Sequence, residues 1–114
     1  MTFEKAFINA KLSALNDYVE EIRKLLEVDD GMLLNDVRAL RAAERDFQLA
    51  VDTMIDINQH FIKELGLPVS DDFQSTFYIL GQNNILPDAF AKKIAPIAGL
   101  RNKIVHRYET VGTK

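Results

Sequence analysis

Residues 36–68 read DVRALRAAERDFQLAVDTMIDINQHFIKELGLP, and this stretch decides the fold. Val37, Leu40, Phe47, Val51, Met54, Phe61 and Leu65 recur at helical spacing, so they share one stripe of a helix running from Asn35 or Asp36 to Leu65. Asn58 falls on the same stripe. Gly66 supplies a residue suited to the left-handed position after a helix, and Pro68 prevents continuation. At about 1.5 Å per residue the helix is roughly 45 Å long. A helix of that length in a chain of 114 residues predicts a bundle of helices rather than a sphere.

The flanking sequence agrees. Before it, Ile8, Leu12, Leu15, Val19, Ile22 and Leu26 step by three and four, which predicts a first helix starting near Thr2 and broken at Asp29–Gly31. After it, Ser70, Asp71 and Asp72 are capping candidates for a third helix from Asp71 to Leu80, with Phe73, Phe77 and Leu80 inward. Pro87 and Asp88 open a last segment in which Phe90, Ile94, Ile97 and Ile104 can face the core. Pro96 and Gly99 predict a kink or break between Ala95 and Leu100. VGTK reads as a frayed tail. No strand signal is comparable, so the expected fold is all-α: an antiparallel bundle of four to five helices forming one domain over 1–114.

Composition narrows the function classes. The chain is 47% hydrophobic and 27% charged, which suits a soluble globular protein. No apolar run reaches the length of a membrane span, and the acids near the start do not suit a secretory leader, so the cytoplasm is the expected location. Cysteine is absent, which excludes disulfides, thiolate metal sites and cysteine nucleophiles. There is no Glu-x-x-His pair for a di-metal bundle and no Gly-rich phosphate loop. His60 and Glu64 share a face, but two ligands do not make a metal site. No cofactor is expected. Asp and Glu are spread as solvated helix faces usually are. Net charge is −3, yet residues 89–108 contain Lys92, Lys93, Arg101, Lys103 and Arg107 without one acid. This basic strip on an acidic body is a phosphate-binding candidate, and it equally suits a helix C-terminus.

Within the strip, GLRNKIVHRYE (99–109) places Arg101, Asn102, His106 and Tyr108 on one helix. Arg101 and His106 lie about 140° apart around the axis and bracket an arc containing Asn102 and Val105. Asn102 and His106 share a side, close enough for an amide–imidazole hydrogen bond. Tyr108 sits two turns beyond Arg101. Such a set suits RNA cleavage without metal. The imidazole takes the ribose 2′-hydroxyl proton and the guanidinium holds the scissile phosphate. One histidine does not readily serve as both base and acid, and a two-fold dimer would supply a second. Ala95, Ala98 and Gly99 are small enough to let two such helices approach. The same residues also suit an ordinary helix end, with Arg101 paired to an acid and His106 capping carbonyls.

Arg101-Asn102-x-x-x-His106-x-Tyr108 at the end of an all-helical chain resembles the HEPN superfamily, and more closely the HepT-like ribonuclease toxins encoded beside a minimal nucleotidyltransferase antitoxin. AVDTMIDINQHFIKELGLP, DDFQSTFYILGQNNILP and IAPIAGLRNKIVHRYE are similar to that group as well. The resemblance implies a homodimer with a composite active site, an RNA substrate, and no metal. It implies Arg101 and His106 as the catalytic pair, Asn102 as the supporting polar residue, and Tyr108 as the residue that the nucleotidyltransferase modifies with AMP. Lys92, Lys93, Lys103 and Arg107 would then bind RNA phosphate. Some members are substrate-binding or docking subunits of nucleotidyltransferases, which is the competing expectation.

Overall fold

A computed structural model describes residues 4–27 and 36–112, with side chains to Arg107. Among these residues every regular element is a helix, with no strand. The helices are α1 (Lys5–Leu26), α2 (Val37–Glu64), α3 (Phe73–Gln82), α4 (Asp88–Ile94) and α5 (Ile97–Gly112). The all-α bundle expected from periodicity is present. The predicted break at Asp29–Gly31 lies outside the described residues.

α2 is the spine. The Asp36 carboxylate accepts from the Ala39 amide at 3.1 Å and starts it. At the other end Gly66 adopts φ 65°, the left-handed conformation expected of it, and the Leu67 amide bonds back to the Ile62 carbonyl. Its core stripe buries Val51 and Ile55 against Phe77 of α3 and Ala95, with Phe47, Met54 and Ile97 partly buried around them. Asn58, on that stripe, is 4% exposed and donates to the Thr76 hydroxyl at 3.1 Å. Thr76 in turn donates to the Phe73 carbonyl at 2.6 Å. This buried polar chain ties the start of α3 to α2 and sets where Phe73 lies.

Asp72 caps α3, accepting from the Ser75 amide at 2.7 Å, and that bond holds the Asp72 carboxyl below its ordinary value. Gly81 is buried where α3 meets α4. A Cβ there would stand 2.7 Å from the Ala91 Cβ, so only glycine permits this approach. The break between α4 and α5 falls at Ala95–Pro96, inside the predicted interval. Beyond it α5 continues to Gly112 rather than fraying at Val111.

α1 begins at Lys5, near the start expected around Thr2. Three expectations need correction. The apolar stripe of α1 is only partly covered, with Leu12, Val19 and Leu26 exposed. The reason is that α1 packs extensively against α2 alone, and one helix contact covers a narrower strip than the sequence makes apolar. Phe73 and Phe90, assigned inward, are 39% and 47% exposed, and Val37 is exposed at the first turn of α2. Finally, the acids are not all solvated: Asp46 is buried on α2.

Asp46 faces Glu21 of α1. Burial pushes its carboxyl up, and the hydrogen bond to Glu21 and the charge of Glu21 add to the rise. The folded state therefore holds the Asp46 proton more tightly than the unfolded chain. The ionised pair opposes folding at neutral pH, and this cost is relieved as pH falls through the raised value toward the ordinary 3.8. Asp46→Asn keeps a group able to donate to Glu21 and removes the charge. Thermal melts should show the variant more stable than the parent at neutral pH, with the gap closing near pH ~4. A variant less stable at neutral pH would contradict this reading of the pair.

Candidate active site

α5 lies antiparallel to α2 and is fastened to it at two points. Near its start, Arg101 Nε donates to Asp52 Oδ1 at 2.6 Å. Near its end, Arg107 pairs with Glu44, which also accepts from Arg41 at 2.5 Å. The order of partners along α2 is reversed, as antiparallel packing requires. Behind these pairs Ala95 and Ala98 are almost fully buried. These two alanines therefore serve this chain's own packing, not the approach of a second copy as expected. Gly99 is half-buried with open space where a Cβ would stand, and remains available for such an approach.

Arg101 is the most constrained member of the motif. Its side chain is 19% exposed and its guanidinium lies 5.8 Å from the centre of the Phe73 ring. Nη1 donates to Asn102 Oδ1 at 3.1 Å. Asn102 is thus oriented by Arg101, where an amide–imidazole bond to His106 was expected. Among the described residues no hydrogen bond engages Arg101 Nη2, so this nitrogen is left for an anion. His106 is exposed on the same helix, just before the Arg107 anchor, with Asn102 and Lys103 also exposed. Tyr108 is on the α5 backbone, and its side chain lies outside the described residues.

The basic strip is less uniform than its composition suggests. Arg101 and Arg107 are paired with α2, and Lys92 pairs with Asp88 at 3.0 Å. Lys93 and Lys103 are exposed without an ion-pair partner among the described residues. The Arg101–Asp52 pair is what an ordinary helix end would show. What that reading does not supply is a guanidinium with Nη2 unengaged, an oriented amide beside it and an exposed imidazole five residues on. Asp52 is the participant that sequence reasoning missed. It is one residue from the core position Val51, at the border where an acid meets the neighbouring helix rather than water.

A family model described as ribonuclease HepT-like matches residues 15–114. The chain belongs to that family. This HepT-like chain is 32% identical over 108 residues to the tRNA nuclease HepT of Aphanizomenon flos-aquae, spanning 95% of this chain and 74% of that protein. It is 28% identical over 64 residues to the mRNA nuclease HepT of Shewanella oneidensis, spanning 56% of this chain and 48% of that one. Its fold matches that of a chain in a solved complex of a tri-AMPylated Shewanella oneidensis HEPN toxin with an MNT antitoxin, with TM-score 0.82 and 22% identity over 90% of this chain and 76% of that chain. The helical bundle expected from the resemblance is therefore that of the HEPN toxins. No helix among the described residues is long and apolar enough to cross a membrane.

Proposed function

We propose that this single-domain HepT-like chain is a metal-independent endoribonuclease toxin of the cytoplasm, silenced by a nucleotidyltransferase antitoxin that places AMP on Tyr108. The observation that carries this reading is the Arg101 guanidinium, fixed by Asp52 with Nη2 unengaged, on the same helix as the exposed His106. The nuclease names of its HepT relatives support it.

The chemistry follows from these groups. A neutral His106 imidazole accepts the proton of a ribose 2′-hydroxyl. O2′ attacks the adjacent phosphorus, the P–O5′ bond breaks, and a 2′,3′-cyclic phosphate and a 5′-hydroxyl result. Arg101 stabilises the charge that gathers on the non-bridging oxygens. The leaving O5′ needs a proton, and the second His106 of a homodimer provides it across a composite cleft. Lys103 and Lys93 attract the flanking backbone, with Arg107 and Lys92 contributing from their ion pairs. DNA lacks the nucleophile and is not cut.

The off switch is a matter of charge and bulk. An AMP group two turns beyond Arg101 carries a phosphate into the region where RNA phosphate must sit. Production of this chain alone should arrest growth, and production with its cognate nucleotidyltransferase should restore it, with AMP on Tyr108 by mass spectrometry. Tyr108→Phe should escape neutralisation. Equal relief for Tyr108→Phe would overturn the switch. A docking subunit is the second reading, favoured by the ion pairs that already occupy Arg101 and Arg107. It predicts a stable complex and no cleavage by the isolated chain.

A further inference from the structure

Beside Arg101 is a cleft of about 310 Å³ lined by Asp52, Ile55, Asp56, Gln59, Phe73 and Arg101. The four α2 residues fall at i, i+3, i+4 and i+7 and form one wall. Ile55 is buried and makes an apolar floor, while the Phe73 ring, 39% exposed, stands at the mouth. The charges on this wall are already balanced. Asp52 holds Arg101 at 2.6 Å, and Asp56 Oδ2 holds Lys11 of α1 at 2.9 Å. A neutralised wall has little to offer a phosphate.

What it offers is a flat apolar space with polar groups along one side. Among the described residues, no hydrogen bond engages the Gln59 amide or Asp56 Oδ1. An amide carries both donor and acceptor, and a carboxylate oxygen accepts from exocyclic amines and ring N–H groups. An exposed aromatic ring stacks on the face of a heterocycle. A planar ring with a hydrogen-bonding edge is the ligand that uses all three.

We infer that this cleft is a nucleobase subsite, in which Phe73 stacks on an RNA base flanking the scissile phosphate and Gln59 and Asp56 read that base's edge. The inference rests on the ribonuclease reading above and adds a source of substrate preference to it. Arg101 joins the two parts, since it borders the cleft and holds the phosphate. The Asn58–Thr76–Phe73 chain of hydrogen bonds explains how a ring at the start of α3 is held in register with a guanidinium on α5.

The test uses 2′-O-methyl oligoribonucleotides, which bind but cannot be cut, so it reads the subsite independently of catalysis. Phe73→Leu keeps apolar volume against Arg101 and removes the ring. It should weaken binding by about tenfold, and Phe73→Trp should retain it. Gln59→Ala and Asp56→Asn should each change the ranking of oligonucleotides that differ in one base next to the cut position. Circular dichroism of each variant confirms folding. Parent-like affinity and ranking in Phe73→Leu, Gln59→Ala and Asp56→Asn would overturn the subsite, whether or not the parent cleaves RNA. Phe73-dependent binding of 5′-AMP with no Phe73 dependence for the oligonucleotides would also overturn it, assigning the cleft to a mononucleotide. RNA cleavage left unchanged by Arg101→Ala would instead strike the ribonuclease reading.

Discussion

His106→Ala should lower kcat for RNA cleavage by about 10²–10⁴-fold while RNA affinity changes little. The 2′-hydroxyl is a weak nucleophile until its proton is taken, and no other exposed imidazole shares α5 with Arg101. The chain's other histidine, His60, is on α2 and stacks beside Phe7 of α1 with ring centres 4.9 Å apart. His106 is exposed, so alanine leaves no cavity and the fold survives. His106→Asn and His106→Gln keep hydrogen bonding without a titratable base and should be as inactive as alanine. Retained kcat in these variants would remove His106 from the chemistry. In a homodimer the loss is compounded, because both protomers carry the substitution and base and acid are withdrawn together.

Arg101→Ala should cost about 10²–10³-fold in kcat, and Arg101→Lys should restore little of it. The guanidinium has divided its donors. Nε is committed to Asp52 and Nη1 to Asn102, which leaves Nη2 directed by two fixed bonds. A lysine ammonium has one donor centre. It either pairs with Asp52 or reaches the phosphate, and it does not orient Asn102. Asp52→Asn separates positioning from charge. It leaves Arg101 cationic and able to bind RNA but loosens its aim, so kcat falls more than affinity. A fall in affinity with kcat unchanged would show that Asp52 serves only packing. Because Arg101 is largely enclosed, thermal melts of Arg101→Ala and Asp52→Asn must accompany the kinetics. The first leaves Asp52 without its partner, which lowers stability as well.

Much of this site was readable from residue spacing. The length and stripe of α2, the caps at Asp36 and Asp72, the left-handed Gly66 and the break at Pro96 all follow from local rules that act within a turn or two of helix. The placement of the motif on the final helix followed from the same rules. Asp52 did not. Its partner lies 49 residues away, and an acid on an amphipathic helix looks the same whether water or an arginine faces it. Asp46 escaped for the same reason, since only the approach of α1 turns it from a surface acid into a buried one. Phe73 and Phe90 were assigned inward because aromatic residues at helical spacing usually are. Their positions at the start of short helices put them at the rim instead. Ala95 and Ala98 show the converse error. Small residues permit close approach, but spacing does not say whether the approaching surface belongs to the same chain.

The central claim is that Arg101 and His106 form a ribonuclease site that uses the substrate's own 2′-hydroxyl. It is tested most directly by incubating the purified chain, in excess chelator, with a target RNA and with the same RNA carrying a single 2′-deoxynucleotide at the cut position. Cleavage of the first to a 2′,3′-cyclic phosphate and a 5′-hydroxyl is expected, with no cleavage of the second at that linkage. Cutting at the 2′-deoxy linkage, 5′-phosphate ends, or activity seen only when metal is restored would contradict it.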